Sequence, residues 1–142
     1  MPRDAYLRNR VLTADPVELI HILYEHALTQ VKAARVAMAA GDIAGRAAAI
    51  ARALAALGEL EASLNHEHGG SLSRNLGRLY RYMRKRLTDG NVNRDKKALA
   101  EVESLLRTIE EGWSAMRRNT FVAAAATYGQ AEVESGAHSW SA

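Results

Sequence analysis

A chain of 142 residues with 48% hydrophobic and 25% charged side chains has the composition of one globular domain, neither disordered nor membrane-embedded. It has no cysteine, which excludes disulfides, thiolate zinc sites and a cysteine nucleophile and fits a reducing cytoplasm. Nineteen Lys and Arg against sixteen Asp and Glu give a formal charge of +3, too mild an excess to name a partner.

The longest uncharged run, Asn119 to Ala131, falls short of the roughly 18 apolar residues that a membrane helix needs. No apolar run follows Arg3 as a signal peptide would require, so a soluble, cytoplasmic protein without membrane insertion is expected. Both prolines, Pro2 and Pro16, lie at the start, and no proline beyond them interrupts a helix. No period-two alternation bounded by turn dipeptides argues for strands, so the chain reads as all-α.

The first helix begins at Asp15-Pro16-Val17-Glu18, where Asp15 can cap, Pro16 fits the first turn, and Glu18 can reach back. Val17, Ile20, Tyr24, Ala27, Val31, Ala34 and Met38 then form an apolar seam ending at Gly41, which predicts a helix over 16–40. Asp42 caps the second helix, expected over 43–65, with Ile43, Ala47, Ile50, Leu54, Leu57 and Leu64 as its seam. After His66-Glu67-His68-Gly69-Gly70, the seam Leu72, Leu76, Leu79, Met83 and Leu87 predicts a third helix over 71–89, stopped by Gly90. Asn93 or Asp95 caps the fourth, whose seam is Leu99, Val102, Leu106, Ile109, Trp113 and Met116.

Four such seams joined by short turns can bury their apolar faces only against one another, as antiparallel neighbours. The expected fold is an antiparallel up-down four-helix bundle over 16–118. Residues 1–15 form an N-terminal extension and 119–142 a weakly structured C-terminal tail, either a short helix or disordered.

Signals for catalysis are poor. His66 and His68 with Glu67 sit in one short loop without a third ligand placed by spacing, and His21 and Glu25 read as an ordinary i,i+4 surface pair. No glycine-rich phosphate loop, nucleophile elbow or zinc-helix motif is present. The reading is therefore a non-enzyme without metal or cofactor. Arg74, Arg78, Arg81 and Lys85 make a basic stripe on the third helix, read first as a solvated face and otherwise as a contact for an acidic protein or for nucleic acid. No aromatic residues interleave the stripe as base-stacking platforms, so a nucleic-acid-binding bundle is the alternative and not the main reading.

Apolar residues outside the seams carry more information. Leu19 and Ile22 project from the far side of the first helix, and Tyr82 lies well off the third seam. The second helix is wrapped in alanine, Ala48, Ala51 and Ala55 among them, which leaves a smooth apolar furrow where a partner helix could settle. Tyr6, Leu7, Val11 and Leu12 add large apolar side chains to a segment outside the bundle, and folding over the furrow would shield both.

These residues also carry a family pattern. The run from Ala5-Tyr6-Leu7-Arg8-Asn9-Arg10-Val11-Leu12 through Asp15-Pro16-Val17-Glu18-Leu19-Ile20 to Leu23-Tyr24 resembles the N-terminal block of the FliS family of flagellar secretion chaperones. Glu59-Leu60, Ser63-Leu64, Gly69-Gly70, Asn75-Leu76, Leu79-Tyr80 and Tyr82-Met83 match a second block. Asn91, Asp95, Leu99, Glu101-Val102, Leu105-Leu106 and Trp113 match a third. Asn65 departs from an Asp common in the family, Asp15 from a Ser, and Asp89-Gly90 from a more Ala-like pair.

The resemblance implies a cytoplasmic export chaperone that holds the C-terminal helical segment of flagellin monomeric and hands it to flagellar export gate components. It also implies that the client wraps along the bundle surface and that the N-terminal segment can occupy part of the groove. On this reading the partner-binding residues are Tyr6, Val11, Leu12, Leu19, Ile22, Leu23, Ala48, Ala51, Ala55, Asn75 and Tyr82, with Tyr6, Val11 and Leu12 as a displaceable lid.

Overall fold

A computed structural model describes the backbone of residues 5–9, 16–64 and 66–134, and the side chains of 5–9, 16–64 and 69–116. After a helical segment over 5–9, four helices follow: α1 (Pro16–Ala40), α2 (Ile43–Ala62), α3 (His66–Asn93) and α4 (Lys96–Glu134). The described residues contain no strand, and none of their helices is long and apolar enough to cross a membrane. The chain divides into two compact units, 1–107 and 108–142. Helical backbone continues across 119–134, and within 108–116 Ile109 and Trp113 are half-buried while Met116 is exposed.

The helix ends follow from local chemistry. Pro16 heads α1 with Glu18 in its first turn, as the start signal anticipates; the capping residue Asp15 lies outside the described residues. At the far end Gly41 takes φ 72°, its N–H donates to the Met38 carbonyl, and the Asp42 N–H donates to Ala37. This doubly bonded left-handed stop suits glycine, which has no Cβ to clash. Asp42 then caps α2, its Oδ1 accepting from the Gly45 N–H at 2.9 Å. In α3 the non-helical Gly70 separates a short lead-in from the long helix that follows. Asp95 is the cap of α4, accepting from Lys97 and Ala98.

The α3–α4 corner differs from the sequence expectation. The helix does not stop at Gly90 but runs on to Asn93, and the left-handed residue is Arg94 at φ 52°. The Asp95 N–H closes the turn on the Gly90 carbonyl at 3.0 Å. Gly90 serves the packing instead. A Cβ there would lie 3.1 Å from Leu99 Cδ2 and 3.2 Å from Ala98 Cβ, so its missing side chain lets α3 and α4 approach.

Within residues 1–107 the helices run up, down, up and down. Arg52 on α2 donates to Gln30 on α1, and Arg46 at the start of α2 meets Asn91 at the end of α3. Arg86 on α3 meets Glu101 on α4, while Arg35 on α1 meets Glu103 on α4. Each helix thus has two sequential or cyclic neighbours, which leaves α1 and α3 facing across a diagonal. On that diagonal Tyr24 and Tyr80, both about 1% exposed, hydrogen-bond through their hydroxyls, with rings tilted by 56° and centroids 6.2 Å apart.

The contact between α1 and α2 is built on small residues. Ala27, Ala34 and Ala37 of α1 and Ala49, Ala53 and Ala56 of α2 are all buried, and these two helices make the most extensive backbone approach among the described residues. Larger side chains, including Val31, Ile50, Leu57, Leu60, Met83, Leu87, Leu99, Val102 and Leu106, fill the centre. Several expected seam positions are displaced: Val17, Ile43 and Leu72 are exposed, and the buried line of α3 runs through Ser73, Gly77, Tyr80, Met83, Leu87 and Gly90. Arg46 is 8% exposed, donating from Nε to Asn91 Oδ1 at 2.9 Å and from Nη2 to the Asn91 carbonyl at 3.2 Å. It places a cation on the carbonyl-rich end of α3, where the helix dipole favours one.

The corner and the diagonal each yield a prediction. Gly90→Val is expected to destabilise by about 1–3 kcal/mol through overpacking against Leu99, whereas Arg94→Gly stabilises by about 0.5–1 kcal/mol, both read by urea unfolding. Burial, then the hydrogen bond and charge interaction with Tyr24, push the Tyr80 phenol well above its ordinary range. Since the folded value lies above the unfolded one, this contribution is complete below about pH 10 and declines as pH rises toward the folded value. Ultraviolet titration should therefore find Tyr80 un-ionised until alkaline unfolding. Tyr80→Phe is expected to remove that part of the transition and cost about 1–2 kcal/mol at neutral pH.

Candidate functional site

An α-helix that buries one stripe should show polar residues elsewhere, so apolar side chains left at the surface mark where the molecule can bind. On α1, Leu19 and Leu23 lie one turn apart and are half-buried. Ile22 does not join them. It is 3% exposed and belongs to the core, which corrects its assignment to the surface. Ile22 and Tyr24 point about 160° apart around the helix and both are buried, so this level of α1 is enclosed on two sides and not along one seam.

The alanines of α2 split into two faces. Ala49, Ala53 and Ala56 are spent in the core, and Ala48, Ala51 and Ala55 lie exposed on consecutive turns of the outer face. Asn75 of α3 is also exposed. Tyr82 is 43% exposed, but its hydroxyl donates to Glu101 Oε2 at 2.8 Å. That bond, followed by the one from Arg86, holds the Glu101 carboxyl below its ordinary range, and donating to Glu101 makes the Tyr82 phenol harder to ionise. The Tyr82 ring is therefore presented to solvent in a fixed position at the α3–α4 edge. Tyr6 is 64% exposed on the 5–9 segment, beside a half-buried Leu7; Val11 and Leu12 lie outside the described residues.

The sequence reading misses one apolar ridge by assigning it to the core. With the buried line of α3 shifted by one position, Leu72 becomes 49% exposed, and Leu76 and Leu79 are half-buried. These three recur on successive turns and so share one side of the helix. Leu64, half-buried two residues past Ala62, where α2 ends short of the expected 65, packs near Gly77, where an added Cβ would stand 3.4 Å from its Cδ1. The available signal was the line Ser73, Gly77, Tyr80, whose small members mark a close helix contact although they score poorly as apolar.

The basic stripe of α3 is partly neutralised. Arg81 pairs with Glu61 at 2.9 Å and Lys85 with Asp89 at 3.4 Å, and Arg84 shares Glu61 at 3.2 Å. Arg74 and Arg78 are exposed. His21 Nε2 and Glu25 Oε1 form the expected i,i+4 side-chain contact. The side chains of His66, Glu67 and His68 lie outside those described.

The family model described as flagellar protein FliS matches residues 1–120. The flagellar secretion chaperone FliS of Salmonella typhimurium is 35% identical over 108 residues, covering 75% of this chain and 80% of that protein. The flagellar secretion chaperone FliSB of Pseudomonas aeruginosa is 38% identical over 104 residues, 73% and 82% of the two chains, and FliS of Bacillus subtilis is 33% identical over 112 residues, 79% and 83%. The chain belongs to the FliS family of flagellar secretion chaperones and is not an enzyme.

Proposed function

We propose that this chaperone binds the C-terminal helical segment of flagellin in the cytoplasm, keeps it from polymerising, and delivers it to components of the flagellar type III export gate. The observation that carries this reading is apolar surface left over after the core is filled. Leu72 and Tyr82 are exposed, Leu19, Leu23, Leu76 and Leu79 are half-buried, and the outer alanines of α2 offer a shallow bed.

An unassembled filament subunit presents an apolar helical stripe that self-associates unless covered. Ordering such a segment on binding consumes about 2–5 kcal/mol of the gross interaction, so a long contact spread over several helices suits such a client better than one deep pocket. Leu19, Leu23, Ala48, Ala51, Ala55, Asn75, Tyr82 and the Leu72 ridge would supply that contact. Tyr6, Val11 and Leu12 would act as a lid displaced by the client.

Co-purification with full-length flagellin is expected to succeed and to fail with flagellin lacking its C-terminal helical region; equal recovery of both forms refutes the assignment. Deleting residues 2–12 should leave melting largely intact and change flagellin affinity, measured by calorimetry. Unfolding of the shortened chain would instead place this segment in the core.

A further inference from the structure

A second surface has a different character. Between the C-terminal half of α1 and the first turns of α4 runs a groove of about 520 Å³. Its apolar lining is Leu99, buried at the base, with the half-buried Met38 and the exposed Ala39 and Val36, the last 71% exposed. Its rim is cationic, with Lys32 and Arg35 on α1 and Lys96 and Arg107 on α4.

Glu103, the one carboxylate among the described lining residues, is already engaged. Arg35 Nη1 donates to its Oε1 at 2.8 Å, and Arg107 donates to its Oε2 from Nη2 at 2.8 Å and from Nε at 3.1 Å. Partial burial raises the Glu103 carboxyl, but these hydrogen bonds outweigh it and hold it below its ordinary range. Four cations against one anion leave an excess of three, equal to the formal charge of the whole chain.

We infer that this groove docks an acidic amphipathic helix of a partner protein, its apolar residues on Val36, Met38 and Ala39 and its carboxylates at Lys32 and Lys96. From Lys32 to Ala39 the α1 wall is about 11 Å long at 1.5 Å per residue, which matches two turns of a bound helix with anchors at i, i+3 or i+4, and i+7. Phosphates could satisfy the rim, but no aromatic residue lines the groove to stack bases, and the exposed Val36 would face a polar backbone. A second copy docked through the same groove would press cationic rim against cationic rim. The groove shares no residue with the surface proposed for flagellin.

The test uses the full chain and a fluorescein-labelled helical peptide of about 18 residues with leucines at i, i+3, i+4 and i+7 flanked by glutamates. Anisotropy should show saturable binding that weakens steeply with salt, and amide resonances of Val36, Ala39 and Leu99 should shift. Lys32→Glu with Lys96→Glu, and separately Val36→Asp, are expected to weaken binding about tenfold or more without lowering the melting temperature. Flagellin recovery by the charge-reversed variant should be undiminished.

Absence of saturable binding, indifference to these substitutions, or equal affinity for a lysine-flanked version overturns the inference. So does an oligonucleotide that shifts the same resonances with equal affinity, or a dimer in sedimentation that Val36→Asp dissolves. Loss of flagellin recovery in the charge-reversed variant would assign the groove to the client and also overturn it.

Discussion

The molecule depends on helices meeting through their smallest side chains. Ala27, Ala34 and Ala37 against Ala49, Ala53 and Ala56 bring α1 and α2 close, and Gly90 does the same for α3 against Ala98 and Leu99. Close backbones gain dispersion contacts along their whole length, so little bulk is needed between them. The large apolar residues that such contacts do not use are turned outward. Leu72, Leu76 and Leu79 are exposed or half-buried because Ser73, Gly77 and Tyr80 occupy the packed line beside them. A tightly packed interior and an apolar exterior are thus two sides of one choice of residues.

Polar contacts then fix which of the many alanine-compatible alignments is adopted. Alanine faces slide easily, since a smooth ridge fits several registers. The Tyr24–Tyr80 hydroxyl contact on the diagonal and the Arg46–Asn91 contact at one end are satisfied in only one of them. Both groups are buried, and a buried polar group left without its partner costs more than the contact contributes, so slippage is penalised at two separate levels.

Much of this architecture is legible in the sequence because it is written in local chemistry. Pro16, Gly41 and Asp42 mark the ends of α1 and the start of α2 through backbone conformation and capping, which act within a few residues. Gly90 misleads for the same reason, since a glycine near a helix end reads as a stop. Here it serves a contact with Leu99, and Arg94 makes the turn. The phase of α3 is likewise hidden, because hydropathy favours Leu72, Leu76 and Leu79 over a line containing serine and glycine. Among surface residues, Leu19, Leu23, Ala48, Ala51, Ala55, Asn75 and Tyr82 are found partly or fully exposed, but Ile22 is not. A single helix cannot reveal on how many sides it is enclosed, and that decides the fate of Ile22.

The corner after α3 places a disfavoured backbone conformation at Arg94 three residues from the buried Arg46–Asn91 clamp. Neighbouring sites that share a load are rarely independent under substitution. Replacements of Arg94 and of Arg46 act on one corner of the molecule, so their effects on stability are not expected to add.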